Sequence, residues 1–332
     1  MAQQMKYFYE LTISSSPHVH APLTTKVIMR DVLIALAPAM VGSVYFFGFR
    51  ALMVALVSMA ACVFFEWGCC KIMKLNCKVY DLSCLVTGLL LAFVCPVTIP
   101  YWCLIIGDFF AIVVVKQLFG GIGRNIMNPA LAARAFLFSW PVIMSTWVKP
   151  GFENAAGIFA TADAITAATP LSNIHLGRLP FEPLKNLFLG NVGGSMGETS
   201  ALLLLLGFCY LLLRKVVTLR IPLSFIGTVA VLTFLFPRGN DRLLWCGYQL
   251  LSGGLILGAL FMATDYVTSP VTHLGQIIFG IGCGVLTVLI RYFGGYPEGV
   301  SFAILVMNAC VVLLDRLGRP KKFGTPRKEA AK

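Results

Sequence analysis

The stretch F-G-G-I-G, residues 119–123, decides how this chain is read. It joins two apolar runs, 101–119 and 130–147, each close to the roughly 20 residues a helix needs to cross hydrocarbon. Ahead of it lies the small-rich apolar segment T-G-L-L-L-A-F, 87–93. The same order returns later. G-G-L-I-L-G-A-L-F at 253–261 is followed by an apolar run, then F-G-G-Y-P at 293–297, then a last apolar run at 299–315. A basic residue precedes each loop, Lys116 in the first and Arg291 in the second. One pattern used twice points to a duplicated helical unit.

The rest of the chain agrees. Its 332 residues are 58% hydrophobic and only 12% charged, where a soluble domain carries about 25% charged residues. Ten apolar runs are candidate spans: 31–49, 51–67, 82–99, 101–119 and 130–147, then 199–213, 219–236, 245–263, 273–291 and 299–315. The start, M-A-Q-Q-M-K-Y-F-Y-E-L, has neither the apolar core nor the small-residue cleavage site of a signal peptide. Lys and Arg gather on cytoplasmic loops. With a cytoplasmic N-terminus, the inner segments take Lys6, Lys26 and Arg30, Lys71, Lys74 and Lys78, Lys116 and Arg124, Arg214, Lys215 and Arg220, and the basic tail beginning at Arg316. Few basic residues are left for the outer segments. Ten spans with both ends inside satisfy this bias, and an odd number would put the basic tail outside. The net charge of +12 is therefore read as membrane topology, and no nucleic-acid partner is expected.

The sequence thus predicts an all-α polytopic membrane protein of about ten transmembrane helices. They form two inverted five-helix repeats with one long outer-face loop. Residues 1–147 hold the N-terminal segment and first repeat, 148–198 the loop, 199–315 the second repeat and 316–332 a cytoplasmic tail. The first F-G-G loop then faces the cytoplasm and the second faces out. Inverted repeats commonly place a binding site or conduction path at their interface near the midplane.

Charged residues inside spans are costly and mark functional sites by default. Asp108 falls near the middle of the fourth run, and Asp265 ends the eighth, where it also suits a turn; either is a candidate contact for a noncovalent flavin or for a cation on an ion path, Na⁺ or H⁺. In G-G-I-G-R-N-I-M-N-P-A, Asn128 suits a helix cap with Pro129 at the first helical position. The same loop (Gly120, Gly121, Asn125, Asn128) is a candidate ligand contact through open backbone N–H groups. The eleven cysteines include no C-x-x-C pair. They read as small apolar residues rather than a disulfide framework or a metal site held by this chain alone. Cluster ligation shared with a partner subunit is the sharper alternative.

Within the loop, D-A-I-T-A-A-T-P-L at 163–171 is a strip of small residues with two hydroxyls. Pro170 disfavours the α region for Thr169, so that hydroxyl is presented from extended backbone. Read from the residues alone, a flexible linker is the simpler meaning. A resemblance changes this. S-P-H-V-H (16–20), K-Q-L-F-G-G-I-G-R-N-I-M-N-P-A (116–130), D-A-I-T-A-A-T-P-L, M-A-T-D-Y-V-T-S-P (262–270) and F-G-G-Y-P-E-G-V-S-F-A (293–303) occur in one order. In them the chain resembles the NqrB/RnfD family. That family comprises the D subunit of the Rnf complex and the B subunit of the Na⁺-translocating NADH:quinone reductase. The short N-terminus favours the Rnf member.

The resemblance implies covalent FMN on a threonine of an outer-face motif, attached through a phosphoester bond. The matching residue is Thr169, with Asp163, Thr166, Pro170 and Leu171 as neighbours and Thr166 or Thr161 as alternative attachment residues. The motif's glycine is replaced here by Ala167. It further implies a second, noncovalent flavin (riboflavin or FMN) near the spans, with the 120–128 loop as the place to seek it. The implied function is a membrane subunit of a redox-driven ion pump, passing electrons between ferredoxin and NAD⁺ with Na⁺ or H⁺ translocation. It is an oxidoreductase of the translocase type, incomplete without its partners, the A, B, C, E and G subunits and above all the flavoprotein G. It would sit in the bacterial inner (cytoplasmic) membrane. The rival is a non-redox channel or secondary transporter, a class in which inverted repeats are common.

Overall fold

In the computed structural model the described residues are 24–74, 79–148, 150, 169–198, 200–239 and 241–318. Among them the chain is helical and forms no β-strand. The first half contains α1 (Thr25–Phe47), α2 (Phe49–Ile72), α3 (Ser83–Val94), α4 (Tyr101–Phe109, continued as a π-helical stretch over Phe110–Gln117), α5 (Pro129–Leu137) and the single turn α6 (Pro141–Met144). Two short helices follow, α7 (Pro170–His175) and α8 (Leu184–Leu189). The second half contains α9 (Ala201–Leu213), α10 (Arg220–Leu235), α11 (Arg242–Leu251), α12 (Leu255–Leu257, continued as a π-helical stretch over Gly258–Met262), α13 (His273–Phe293) and α14 (Val300–Leu317).

Helix starts follow local chemistry. Thr24, Ser200 and Thr272 cap α1, α9 and α13 through their side-chain oxygens. Asn128 caps α5 by accepting from Ala130 N and Leu131 N, and Pro129 takes the first helical position. That cap is the one the sequence predicts.

α1, α2, α13 and α14 are long and apolar enough to cross a membrane, and the bent pair α11–α12 makes up to five such spans. They expose large apolar side chains such as Phe64, Leu289 and Val312. The protein is a membrane protein on these grounds. A helix lies within each of the ten apolar runs, but the runs at 82–99, 130–147 and 245–263 are not continuous helices. α3 stops at Val94 and gives way to a buried non-helical stretch; α5 stops at Leu137. α11 and α12 meet at a 65° bend. Apolarity reports burial, and a buried half-helix is as apolar as a span.

Non-helical backbone away from water needs partners for its carbonyls. Two buried arginines supply them. Arg50, at the start of α2, donates to Val97 O (2.8 Å) and Thr98 O (3.2 Å) in the stretch after α3. Arg291, at the end of α13, donates to Gln249 O (2.5 Å) and Ser252 O (3.0 Å) at the α11–α12 bend.

The halves also pair in a matching way. α2 packs on α3 and α4, as α10 packs on α11 and α13; α1 meets α9, and α5 meets α14. The α1–α9 contact depends on Gly207, where an added Cβ would collide with Ala35 O. Gly207→Ala should cost about 1–3 kcal/mol by overpacking. The check is a lower thermal midpoint in detergent, with Gly227→Ala, which meets open space, as a control.

Candidate functional site

Two clefts lie at opposite ends of α12. The first, about 590 Å³, opens at the α11–α12 bend and is walled by Thr169, Leu171, Ser195, Glu198, Ser252 and Glu298, among others. The second, about 790 Å³, lies beyond the other end of α12. Ser83, Lys116, Asn125, Asn128, Thr264 and Asp265 are among its walls. α12 with its π-helical stretch runs from the first cleft to the second. α3 runs the other way, from Ser83 in the second cleft to Phe93 and Cys95, whose carbonyls accept from Gly197 N and Met196 N beside the first.

Thr169 has the extended backbone its proline demands, φ −70° and ψ 149°. It caps α7, its side-chain oxygen accepting from Ser172 N (3.3 Å), and is partly exposed to the cleft. α7 is held in place behind it. His175 Nδ1 lies 2.9 Å from Arg291 O. Ile174 packs with Trp245 and Leu187, and Leu171 fills the space over Gly253, where a Cβ would sit 2.8 Å from its Cδ2. Gly253 also needs its positive φ of 69°. Pro170 and Leu171 therefore stand beside Thr169 at the cleft. Asp163, Thr166 and Thr161 lie outside the described residues.

A buried charge cluster forms the floor of this cleft. Arg134 of α5 donates to Glu198 Oε1 (3.0 Å), to Ser301 Oγ (3.2 Å) and to Glu298 Oε2. Glu298 Oε1 in turn accepts from Gly254 N at the start of α12 (3.3 Å). Gly254 leaves room for both carboxylates, since a Cβ there would collide with Glu198 Oε1 and lie 2.9 Å from Glu298 Oε1. Beside them, Ser252 Oγ is buried and has no hydrogen-bond partner. Sequence reasoning missed the role of Arg134. The usable signal is a lone arginine inside an apolar run.

In the second cleft the structure brings together several residues singled out in the sequence. Asn125 Nδ2 donates to Met127 O and Asn128 Nδ2 to Met262 O. Asp265 accepts from Thr268 Oγ within a turn and faces the same space. Gly120 and Gly121 adopt positive φ (106° and 85°) in the turn that leads there. Asp108 belongs to neither cleft and is buried between α2 and α4. Sequence reasoning also missed the ion pair of Lys116 with Glu66, both buried; Lys116 reads there only as a loop flank.

Buried half-helices between two opposed clefts define a polytopic α-helical membrane protein. Residues 12–324 match the model of the NQR2, RnfD, RnfE family, and the chain belongs to that family. It is 43% identical to the D subunit of the Na⁺-translocating ferredoxin:NAD⁺ oxidoreductase complex of Acetobacterium woodii, covering 96% of each chain. It is 44% identical to the D subunit of the proton-translocating ferredoxin:NAD⁺ oxidoreductase complex of Clostridium ljungdahlii, over 95% of this chain and 97% of that one. The D subunit of an ion-translocating oxidoreductase complex of Stutzerimonas stutzeri is 40% identical over 90% of this chain and 91% of its own.

Removing Arg134 would strand the buried carboxylate of Glu198 and the partly exposed one of Glu298. Arg134→Ala should cost about 3–5 kcal/mol, seen as a loss of thermal stability that Glu298→Gln partly restores. Glu198 sits in the connection between α8 and α9, outside the spanning helices. Burial first, and then the charge of Glu298, raises its carboxyl above the ordinary value, with Arg134 pulling the other way. A raised carboxyl binds its proton more tightly in the folded state than in the unfolded one. Its contribution to stability is full in acid and is lost as pH rises through the raised value. The thermal midpoint should therefore fall from acidic to alkaline buffer, and Glu198→Gln should flatten that slope.

Proposed function

We propose that this chain is the membrane subunit of a redox-driven ion pump of the ferredoxin:NAD⁺ oxidoreductase type. We further propose that it carries FMN through a phosphoester bond to Thr169 Oγ. The observation that carries this reading is the placement of Thr169. Its hydroxyl stands on extended backbone at the wall of a cleft, held from behind by an anchored helix. The same cleft holds the Ser252 hydroxyl, buried and without a partner. These features fit a ligand with polar groups and a flat apolar body.

Bound FMN would supply one- and two-electron redox chemistry in that cleft. The chain's own residues do the rest. Thr169 fixes the point of attachment, so the group is retained even when its pocket is loose. Leu171, Leu187 and Leu251 offer an apolar wall, and Gly193 and Gly194 bring backbone close. Ser252 offers a hydroxyl to a polar group. Arg134, ion-paired with both Glu198 and Glu298, sets a charged polar floor. A noncovalent second flavin, riboflavin or FMN, would take the other cleft, with Asn125, Asn128 and Asp265 as contacts.

We read the halves as two inverted five-helix repeats making ten spans in the bacterial cytoplasmic membrane, with both termini inside. Three features support this. α3 and α12 run in opposite directions between the clefts. Lys116 and Arg291, each just before an F-G-G loop, reach the start of α3 and the bend before α12 respectively. The two clefts themselves lie at opposite ends. Thr169 then stands on the outer face, where the flavoprotein G subunit is the expected neighbour. The A, B, C and E subunits complete the assembly. The relatives' names, one Na⁺-translocating and one proton-translocating, support coupling to an ion.

Opposed clefts separated by broken helices also favour the channel or secondary-transporter reading. Flavin separates the two. In-gel fluorescence of the denatured protein, expressed with a flavin transferase, should be present in wild type and absent in Thr169→Ala. Fluorescence in both would move the attachment to another hydroxyl, Thr166 first. Its absence from wild type would leave the transporter reading in place.

A further inference from the structure

Asp108, in α4, is fully buried. Its Oδ1 lies 2.6 Å from Ser58 Oγ and 3.3 Å from Cys62 Sγ, and its Oδ2 has no hydrogen-bond partner. Among the described residues no basic side chain pairs with it. Lys116, two turns along the same helix, spends its ammonium on Glu66 Oε1 (3.0 Å), Glu66 Oε2 (2.8 Å) and Ser83 Oγ (2.7 Å). The other titratable groups facing this region are the thiols of Cys62 on α2, Cys84 on α3 and Cys95 just after α3. The charge of Arg134 on α5 is taken by Glu198 and Glu298.

Ser58 decides the protonation state. Its Oγ lies 2.8 Å from Gly88 O and 2.6 Å from Asp108 Oδ1. A hydroxyl has one proton to give, and a peptide carbonyl can only accept. Both short contacts become hydrogen bonds only when the carboxyl brings a second proton. An ionised carboxylate here would face no cation in a low-dielectric interior, which is strongly disfavoured.

The site is also connected. Ser58, Cys62 and Glu66 recur every fourth residue on α2, and Asp108, Ile112 and Lys116 do the same on α4. Cys62, Cys84 and Ile112 pack as one cluster between the two ends of this file. Ser83 and Lys116, at its far end, line the second cleft. Neither cleft reaches Asp108 itself, so the surroundings suit a proton rather than a cation with its shell of oxygens.

We propose that Asp108 is a proton-binding site inside the membrane, protonated in the state described and loaded from the second cleft past the Glu66–Lys116–Ser83 group. Only its use in translocation rests on the pump reading. The first test is infrared spectroscopy of the full chain at neutral pH. Wild type should show a protonated-carboxyl band that Asp108→Asn lacks and that moves on transfer to D₂O. Ser58→Ala, which removes the hydroxyl and keeps the acid, should shift the band; it stands in if Asp108→Asn fails to fold. Spectra that are identical in the carboxyl region overturn the protonated state. A band that never responds to D₂O makes Asp108 a sealed strut and overturns loading. The same spectra from Thr169→Ala protein keep this result separate from the flavin reading. In the whole complex in vesicles, Asp108→Asn should lose ion translocation per electron transferred; an unchanged ratio overturns the coupling role.

Discussion

Backbone that leaves helical geometry inside a membrane must find hydrogen-bond partners within the protein, and the rest of this structure depends on how that is met. Arg50 answers for the carbonyls after α3, and Arg291 for those at the bend before α12. An arginine suits the task because its planar guanidinium aims several donors at once and stays charged. Once the two interruptions are satisfied, the chain can stop a helix inside the protein. The clefts form where the helices stop.

The first cleft inherits its chemistry from that bend. Gly254 brings the start of α12 against Glu298 and Glu198, and Arg134 draws both carboxylates onto α5. One cluster thus joins α5 of the first half, the connection between halves, the start of α12 and the entry into α14. Such a buried cluster is a weak source of stability but a firm specification of position. Its position matters because α7 is tied to the same bend through Leu171 and, by way of His175, to the end of α13.

What is legible in the sequence is what neighbouring residues decide. Pro170 dictates extended backbone at Thr169, and Asn128–Pro129 dictates the start of α5; both are found. The apolar runs locate helices but not their breaks, because the groups that make a break tolerable lie far along the chain: Arg50 serves residues 97–98, and Arg291 serves 249 and 252. Arg134 is equally opaque, since its partners are 64 and 164 residues away. The Ser58–Cys62–Glu66 spacing is a polar stripe along one face of α2, visible in the sequence once the helix is known. It is easily passed over because it sits among Val, Met and Phe.

The opposed courses of α3 and α12 have an electrical consequence. A helix is positive at its N-terminus and negative at its C-terminus. Each cleft receives the N-terminus of one half-helix and the C-terminal end of the other. The two macrodipoles therefore largely cancel, and these two half-helices give neither cleft a field of one sign.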